Sequence, residues 1–171
     1  MNSHIEFKAQ LAVDDAGALT ALAWPFGSAD RVGDMITKGA FANAAVPFPM
    51  LMSHDTTDPI GVWSEAKEQA DGLHLKGRLL IDDVPRARQV HALVRSGAIR
   101  GVSIGFVTRK SVKRAGGGRT ISELELLEAS LVTIPMHPGA MITSAKSAIR
   151  AIAIAEAINR AAAALNVKAK R

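Results

Sequence analysis

The sequence predicts a mainly β domain with surrounding helices. Apolar and polar residues alternate with a period of two in "DGLHLKGRLLI", residues 71–81, and similar runs recur between turn signals along most of the chain. One stretch, Asp83–Ser96, instead combines helical spacing with a cap, a first-turn proline and a following glycine. At 171 residues, 48% of them hydrophobic, the chain has the size of one ordinary domain with a tail to spare.

Taken in order, "HIEFKAQLAV" and "ALTALAWPF" are strands flanking "DDAG", a hairpin-like turn. "RVGDMITKGAFANA" holds turn glycines and then a short helical candidate at Ala40–Ala44. "FPMLMSH" has the pattern of a buried strand, ended by the polar turn "DTTDP", and "IGVWSEAKEQ" resumes the β pattern. In the helix, Asp82 or Asp83 supplies the cap, Pro85 suits the first turn, Gly97 ends it, and Val90, Leu93 and Val94 form its apolar stripe. "AIRGVSIGFVTRKSV" and "RTISELELLEASLVTI" are strands joined by "KRAGGG". Those glycines are followed by no Gly-Lys-Ser/Thr, so they form a solvated hairpin loop and not a phosphate cradle.

From about Gly139 the chain turns alanine-rich, a strong helix former whose apolar stripe (Ile142, Ile149, Ile152, Leu165) is thin. Residues 145–171 hold six basic side chains, Lys146, Arg150, Arg160, Lys168, Lys170 and Arg171, against Glu156 alone. That excess equals the net charge of +5, because the first 144 residues balance. The expected division is therefore a folded domain over 1–144 and a basic helical tail over 145–171. The tail either docks on a partner or packs on its own core.

Several function classes are disfavoured. No apolar run reaches the length of a membrane span, and the N-terminus lacks the pattern of a secretory signal. Without cysteine there is neither a disulfide nor thiolate chemistry, which fits a reducing cytoplasm. A sequence pI near 9.9 invites a nucleic-acid reading. The neutral first 144 residues and the lack of tyrosine or a basic-aromatic array argue against it.

The stretch "GVSIGF", residues 101–106, matches the nucleophile-elbow pattern G-x-S-x-G. An elbow needs a helix after the serine, with the acid and then the histidine downstream. Here β-branched and aromatic residues follow, so that match is accidental. On a strand, Ser103 shares its face with Gly101 and Gly105, and two missing side chains beside a hydroxyl open space for a close approach, as in a substrate cleft. The competing reading is a serine on an exposed strand with glycines at a bulge.

In "LELLEASLVTI", Glu128 alternates with Leu124, Leu126, Ser130 and Val132, which places a carboxylate on a mostly apolar face. Such a charge needs a partner, either an imidazole or, structurally, an arginine. His54, ending "FPMLMSH", is the candidate imidazole, with His137 in reserve. His4, His74 and His91 occupy terminal, polar-strand and surface-helix positions. No histidine pair has metal-ligand spacing with a carboxylate. His54, Ser103 and Glu128 thus offer one base, one nucleophile and one orienting acid.

At these residues the chain resembles the prohead maturation proteases of tailed bacteriophages, relatives in fold of the herpesvirus assemblins. The resemblance runs from about Ile5 to Met141 through "DRVGDMITKGAF", "LMSHD" with "PIGVW", "DGLHLKGRLL", "LVRSGAIRGVSIGF" and "LLEASLVTIPMHPGA". It puts the family's histidine on His54, its serine on Ser103 and the acidic member on Glu128. Glu128 stands 25 residues after the serine, where assemblins place a second histidine. "IPMHPGA" lies where assemblins build their oxyanion hole, which points to the backbone N–H groups of Met136 and His137.

The resemblance implies a closed, assemblin-like β-barrel of about seven strands and no metal or organic cofactor. It implies a serine endopeptidase that cleaves scaffold or capsid-protein extensions, and itself, inside the assembling procapsid in the host bacterial cytoplasm. The implied partners are the major capsid protein and its scaffold region. Assemblins are activated by dimerising, which makes a homodimer one expectation. No membrane and no specific nucleic acid is implied. The alternative is a catalytically silent scaffold or capsid-interaction protein.

Overall fold

A computed structural model describes residues 13–143. The first expected strand, up to residue 12, and the basic tail lie outside the described residues. Chain order is β1 (Ala18–Pro25), β2 (Met35–Ile36), β3 (Phe48–Met52), β4 (Asp55–Glu68), β5 (Gly72–Leu79), α1 (Pro85–Ser96), β6 (Gly101–Lys113), β7 (Arg119–Val132) and β8 (Met141–Thr143). Hydrogen bonding runs β7-β3-β4-β5-β1-β8-β6 and returns from β6 to β7, which closes a seven-strand barrel. Short β2 adds in parallel to the first half of β7. The mainly β barrel expected from the sequence is the observed architecture.

Alternation decides what goes inside. Leu73, Leu75 and Leu79 of β5, the three strongest beats of "DGLHLKGRLL", are buried, while Lys76 and Arg78 face outward. Met50, Ile60, Trp63, Val102, Ala129 and Leu131 complete the interior from β3, β4, β6 and β7. Trp63 donates its indole N–H to Ala129 O at 2.9 Å, so this fully buried side chain leaves no polar atom unpaired. Helix α1 packs beside β4 and β5 and buries Ala87, Val90 and Val94 in the core. Pro85 opens it and Gly97 closes it at φ 80°, in the left-handed region that favours glycine.

Four local expectations need correction. The N-cap is Val84 and makes no side-chain cap bond, so neither Asp82 nor Asp83 caps α1; Leu93 is partly exposed and Ala87 takes its place in the stripe. Residues 38–43 form successive turns and not a helix. Gly39 has φ 94°, and the Glu68 carboxylate takes the N–H groups of Gly39 and Phe41. "DTTDP" is not the turn after β3; it is the irregular start of β4. Met141–Thr143, assigned to the helix former, is instead strand β8 between β1 and β6.

Candidate active site

The antiparallel β6–β7 pair fixes which side chains share a face. Val102 and Ile104 stand opposite Leu131 and Ala129, and all four point into the barrel. The intervening pairs therefore face outward: Gly101 with Val132, Ser103 with Ser130, and Gly105 with Glu128. Directly opposite residues have Cβ atoms about 4.5–5.5 Å apart, so Ser103 and Ser130 are side-chain neighbours.

Glu128 reaches this outer face because of a bulge. Leu126 pairs with Phe106 and Glu128 with Gly105, which leaves Leu127 as an extra residue on β7. Leu124 and Leu126 point into the core before it, and Ala129 and Leu131 do so after it. The sequence reading put Glu128 on the face of Leu124 and Leu126. The bulge reverses the phase, so Glu128 joins Ser130 and Ser103 instead, as bulges near sites commonly re-aim a side chain.

His54 arrives from the other side of β7, where β3 runs parallel and pairs Met52 with Leu131. Ser53 and His54 are the two-residue connection from β3 to β4, with φ of 54° and 63°. Positive φ at both positions is the pattern of a type I′ turn, which normally favours Asn and Gly. Local strain is offset by anchorage to β7. Ser53 N–H donates to Leu131 O at 3.1 Å, and His54 N–H donates to Ser130 Oγ at 2.9 Å.

The carboxylate ties these pieces together. His54 Nδ1–H donates to Glu128 Oε1 at 2.8 Å, and the fully buried Ser130 hydroxyl donates to Glu128 Oε2 at 2.7 Å. The hydrogen bond to Glu128 raises the His54 pKa above its ordinary 6.5, against the opposing effect of burial. With Nδ1 protonated, Nε2 carries the lone pair of the neutral ring. Among the described residues, neither Nε2 nor the Ser103 hydroxyl has a hydrogen-bond partner. Among the described residues no arginine pairs with Glu128, and the imidazole takes that place.

The glycines beside Ser103 accommodate the site's own parts. A Cβ on Gly105 would collide with the Glu128 carboxylate, and one on Gly101 would lie 2.8 Å from Pro135 Cδ. Pro135 thereby packs on the same outer face of β6 as Ser103. A small cleft follows, lined by Ser103, Met136, His137, Trp24, Asp30 and Phe106 among others. No described hydrogen bond uses the backbone N–H of Met136 or His137.

The His137 ring is committed elsewhere. Its Nδ1 accepts from Gly139 N–H at 3.1 Å, its Nε2–H points to Ser28 Oγ at 3.2 Å, and its edge meets Trp24. Burial lowers its pKa. A neutral imidazole with both nitrogens occupied is a structural pin for the loop, and it leaves His54 as the imidazole beside the carboxylate.

Comparison with known proteins identifies the family. The family model described as "Caudovirus prohead serine protease" matches residues 3–153. The chain belongs to this family. It is 30% identical over 138 residues to the prohead protease of Enterobacteria phage HK97, covering 77% of this chain and 61% of that protein. It is 35% identical over 127 residues to the capsid polyprotein of Pseudomonas phage PAJU2, covering 70% of this chain but 19% of the polyprotein. The chain thus spans less than two thirds of either relative's length.

Ser130 is the site residue that the sequence reading left without a role. Its signal was present: a serine two residues after the acid, on the same strand face. Its two bonds depended on the His54 turn, which strand periodicity does not specify.

Proposed function

We propose that the protein is a serine endopeptidase of phage capsid maturation, with Ser103 as nucleophile, His54 as general base and Glu128 as the group that orients the base. The observation carrying this reading is the His54–Glu128 bond, which leaves Nε2 free beside the strand face of Ser103. Ser103 Oγ attacks the scissile carbonyl carbon while its proton passes to His54 Nε2. Glu128 stabilises the imidazolium that forms. The C–N bond of the tetrahedral intermediate then breaks, and His54 returns the proton to the leaving amine. Water attacks the acyl-enzyme by the same route and frees Ser103.

The oxyanion would be received by the N–H groups of Met136 and His137, whose loop borders the Ser103 cleft. Pro135 and Pro138 have no N–H to give. The substrates in this reading are capsid or scaffold extensions and the protease itself, cleaved inside the procapsid. Support comes from the two relatives, one named a prohead protease and one a capsid polyprotein. A homodimer belongs to the reading only by analogy with assemblins. Residues 145–171 act as a separable basic segment that brings the protease to its capsid partner.

Intact mass spectrometry of the protein co-expressed with its capsid protein tests the assignment. Ser103→Ala and His54→Ala should each abolish cleavage while circular dichroism stays unchanged. Normal cleavage by His54→Ala would refute the base. Deleting 145–171 should spare peptide hydrolysis and reduce co-packaging; a truncated chain that fails to fold makes the tail a structural element.

A further inference from the structure

We propose that Arg31 is the positioning residue of the oxyanion hole, turning two consecutive backbone N–H groups toward Ser103. This rests on the serine-peptidase reading above and adds a residue to it. Arg31 holds two neighbouring carbonyls: its backbone N–H donates to Met136 O at 3.1 Å, and its Nε–H donates to Pro135 O at 3.1 Å. Both peptide units involved are trans, since the one cis bond among the described residues is Val46–Pro47. In a trans peptide the N–H points opposite to the C=O of the same unit. The Met136 N–H therefore points away from the Pro135 carbonyl, and the His137 N–H away from the Met136 carbonyl. With both carbonyls drawn to Arg31, both N–H groups face away from it. Neither has a described partner, and both residues line the cleft with Ser103.

Arg31 is itself held in place. Asp30 Oδ1 accepts the N–H groups of Val32 and Asp34 at 3.0 and 2.8 Å, closing a turn around residue 31. Asp34 is gripped by Arg119 at the start of β7, through the backbone N–H at 2.8 Å and through the guanidinium. From the other side, Pro135 fills the space over Gly101, two residues from the nucleophile. The loop 135–139 is thus clamped between the Ser103 strand and a turn fastened to β7. An exposed arginine has little other reason to spend its Nε on a loop carbonyl.

The test measures phosphorylation of Ser103 by diisopropyl fluorophosphate, followed by intact mass. Ser103 Oγ attacks phosphorus while its proton passes to His54, charge builds on the P=O oxygen and fluoride leaves as the P–F bond breaks, so the rate reads the oxyanion hole without needing the natural substrate. Loss of one whole donor costs about 10²–10³ in rate, so its misalignment in Arg31→Ala should cost roughly tenfold or more. The pH of half-maximal labelling should stay that of the wild type, because His54 and Glu128 are untouched. Arg31→Gln sets an amide N–H where Nε stood and should recover part of the loss. Wild-type labelling rates in Arg31→Ala, a shifted pH midpoint, or no recovery in Arg31→Gln would overturn the proposal. A wild type not labelled at Ser103 would instead overturn the peptidase reading beneath it.

Discussion

Gly105 stands directly across β6 and β7 from Glu128, and the carboxylate occupies the volume that a side chain at 105 would fill. Its φ is not positive, so alanine there tests the space alone. Gly105→Ala should push the carboxylate off His54 and Ser130. The expected loss is on the order of 10²–10⁴ in kcat, the scale for disorienting a catalytic histidine. In a Glu128→Ala background the same substitution should cost almost nothing more, since the clash has gone. Additive losses in that double-mutant cycle would refute the steric account.

Glu128→Gln should change the pH profile as well as the rate. In the proposed mechanism the base works only when neutral, and the Glu128 bond raises the His54 pKa from its ordinary 6.5. The acidic limb of kcat/KM should therefore sit above that value in the wild type and move down in the glutamine variant. Stability follows the opposite sense. A raised folded-state pKa contributes stability below the unfolded value, and that contribution is lost as pH rises through the folded pKa. Denaturant titrations across pH 5 to 9 should show this slope, flattened in Glu128→Gln.

Removing the Ser130 hydroxyl should free one carboxylate oxygen and one backbone N–H together. Ser130→Ala is expected to lower kcat by about 10-fold or more, and to destabilise by about 1–3 kcal/mol because the part-buried His54 N–H and the buried Glu128 carboxylate each lose a partner. Threonine at 130 should restore much of both. An alanine variant as active as the wild type would leave the hydroxyl without a role in positioning the site.

Ser53 sits at φ 54° with an exposed side chain, in a turn position suited to asparagine. Ser53→Asn should stabilise the fold by about 0.5–1 kcal/mol through relief of left-handed strain. That corresponds to an unfolding temperature about 1–4 °C higher, with activity unchanged. A lower melting temperature would show that the strain is not local to this residue.

The Asp34–Arg119 pair should carry an acid-sensitive share of stability. Asp34 is buried, and hydrogen bonds from Arg119 hold its pKa below the ordinary 3.8. Stability from a depressed carboxyl is present above the unfolded pKa and lost as pH falls through the folded one. Arg119→Ala should cost about 1–3 kcal/mol at pH 7, less than a fully buried pair because the guanidinium is half exposed. That difference should shrink as pH falls below the ordinary 3.8 and through the lowered folded-state pKa.

The strands were legible in sequence because the inner face obeys a period of two over β5, β6 and the end of β7, whereas their closure into a barrel was implied by the family resemblance alone. Ser103 was legible because two glycines mark it, and α1 because proline and glycine bracket it. What escaped was set by contacts between distant segments. Leu127 is an ordinary strand residue whose bulge depends on register with β6. Met141–Thr143 has helix-tolerant composition and becomes a strand because β1 and β6 offer it backbone partners. The helical candidate at Ala40–Ala44 gives way to turns because the Glu68 carboxylate of β4 takes the N–H groups of Gly39 and Phe41. Likewise, the partner of Glu128 could be named by chemistry, but its route through a left-handed turn could not.

Strand β7 lies between the two strands that deliver the other candidate catalytic groups: β3, which leads into His54, and β6, which carries Ser103. Met50 meets Ala129 across 79 residues of chain, so that junction is among the last contacts a folding polypeptide gathers. The three groups therefore come into register only once the ring is shut. A nascent or partly folded copy holds all three side chains yet has not brought them together. Under the proposed peptidase reading, hydrolysis therefore waits on closure of the ring, a delay written in connectivity.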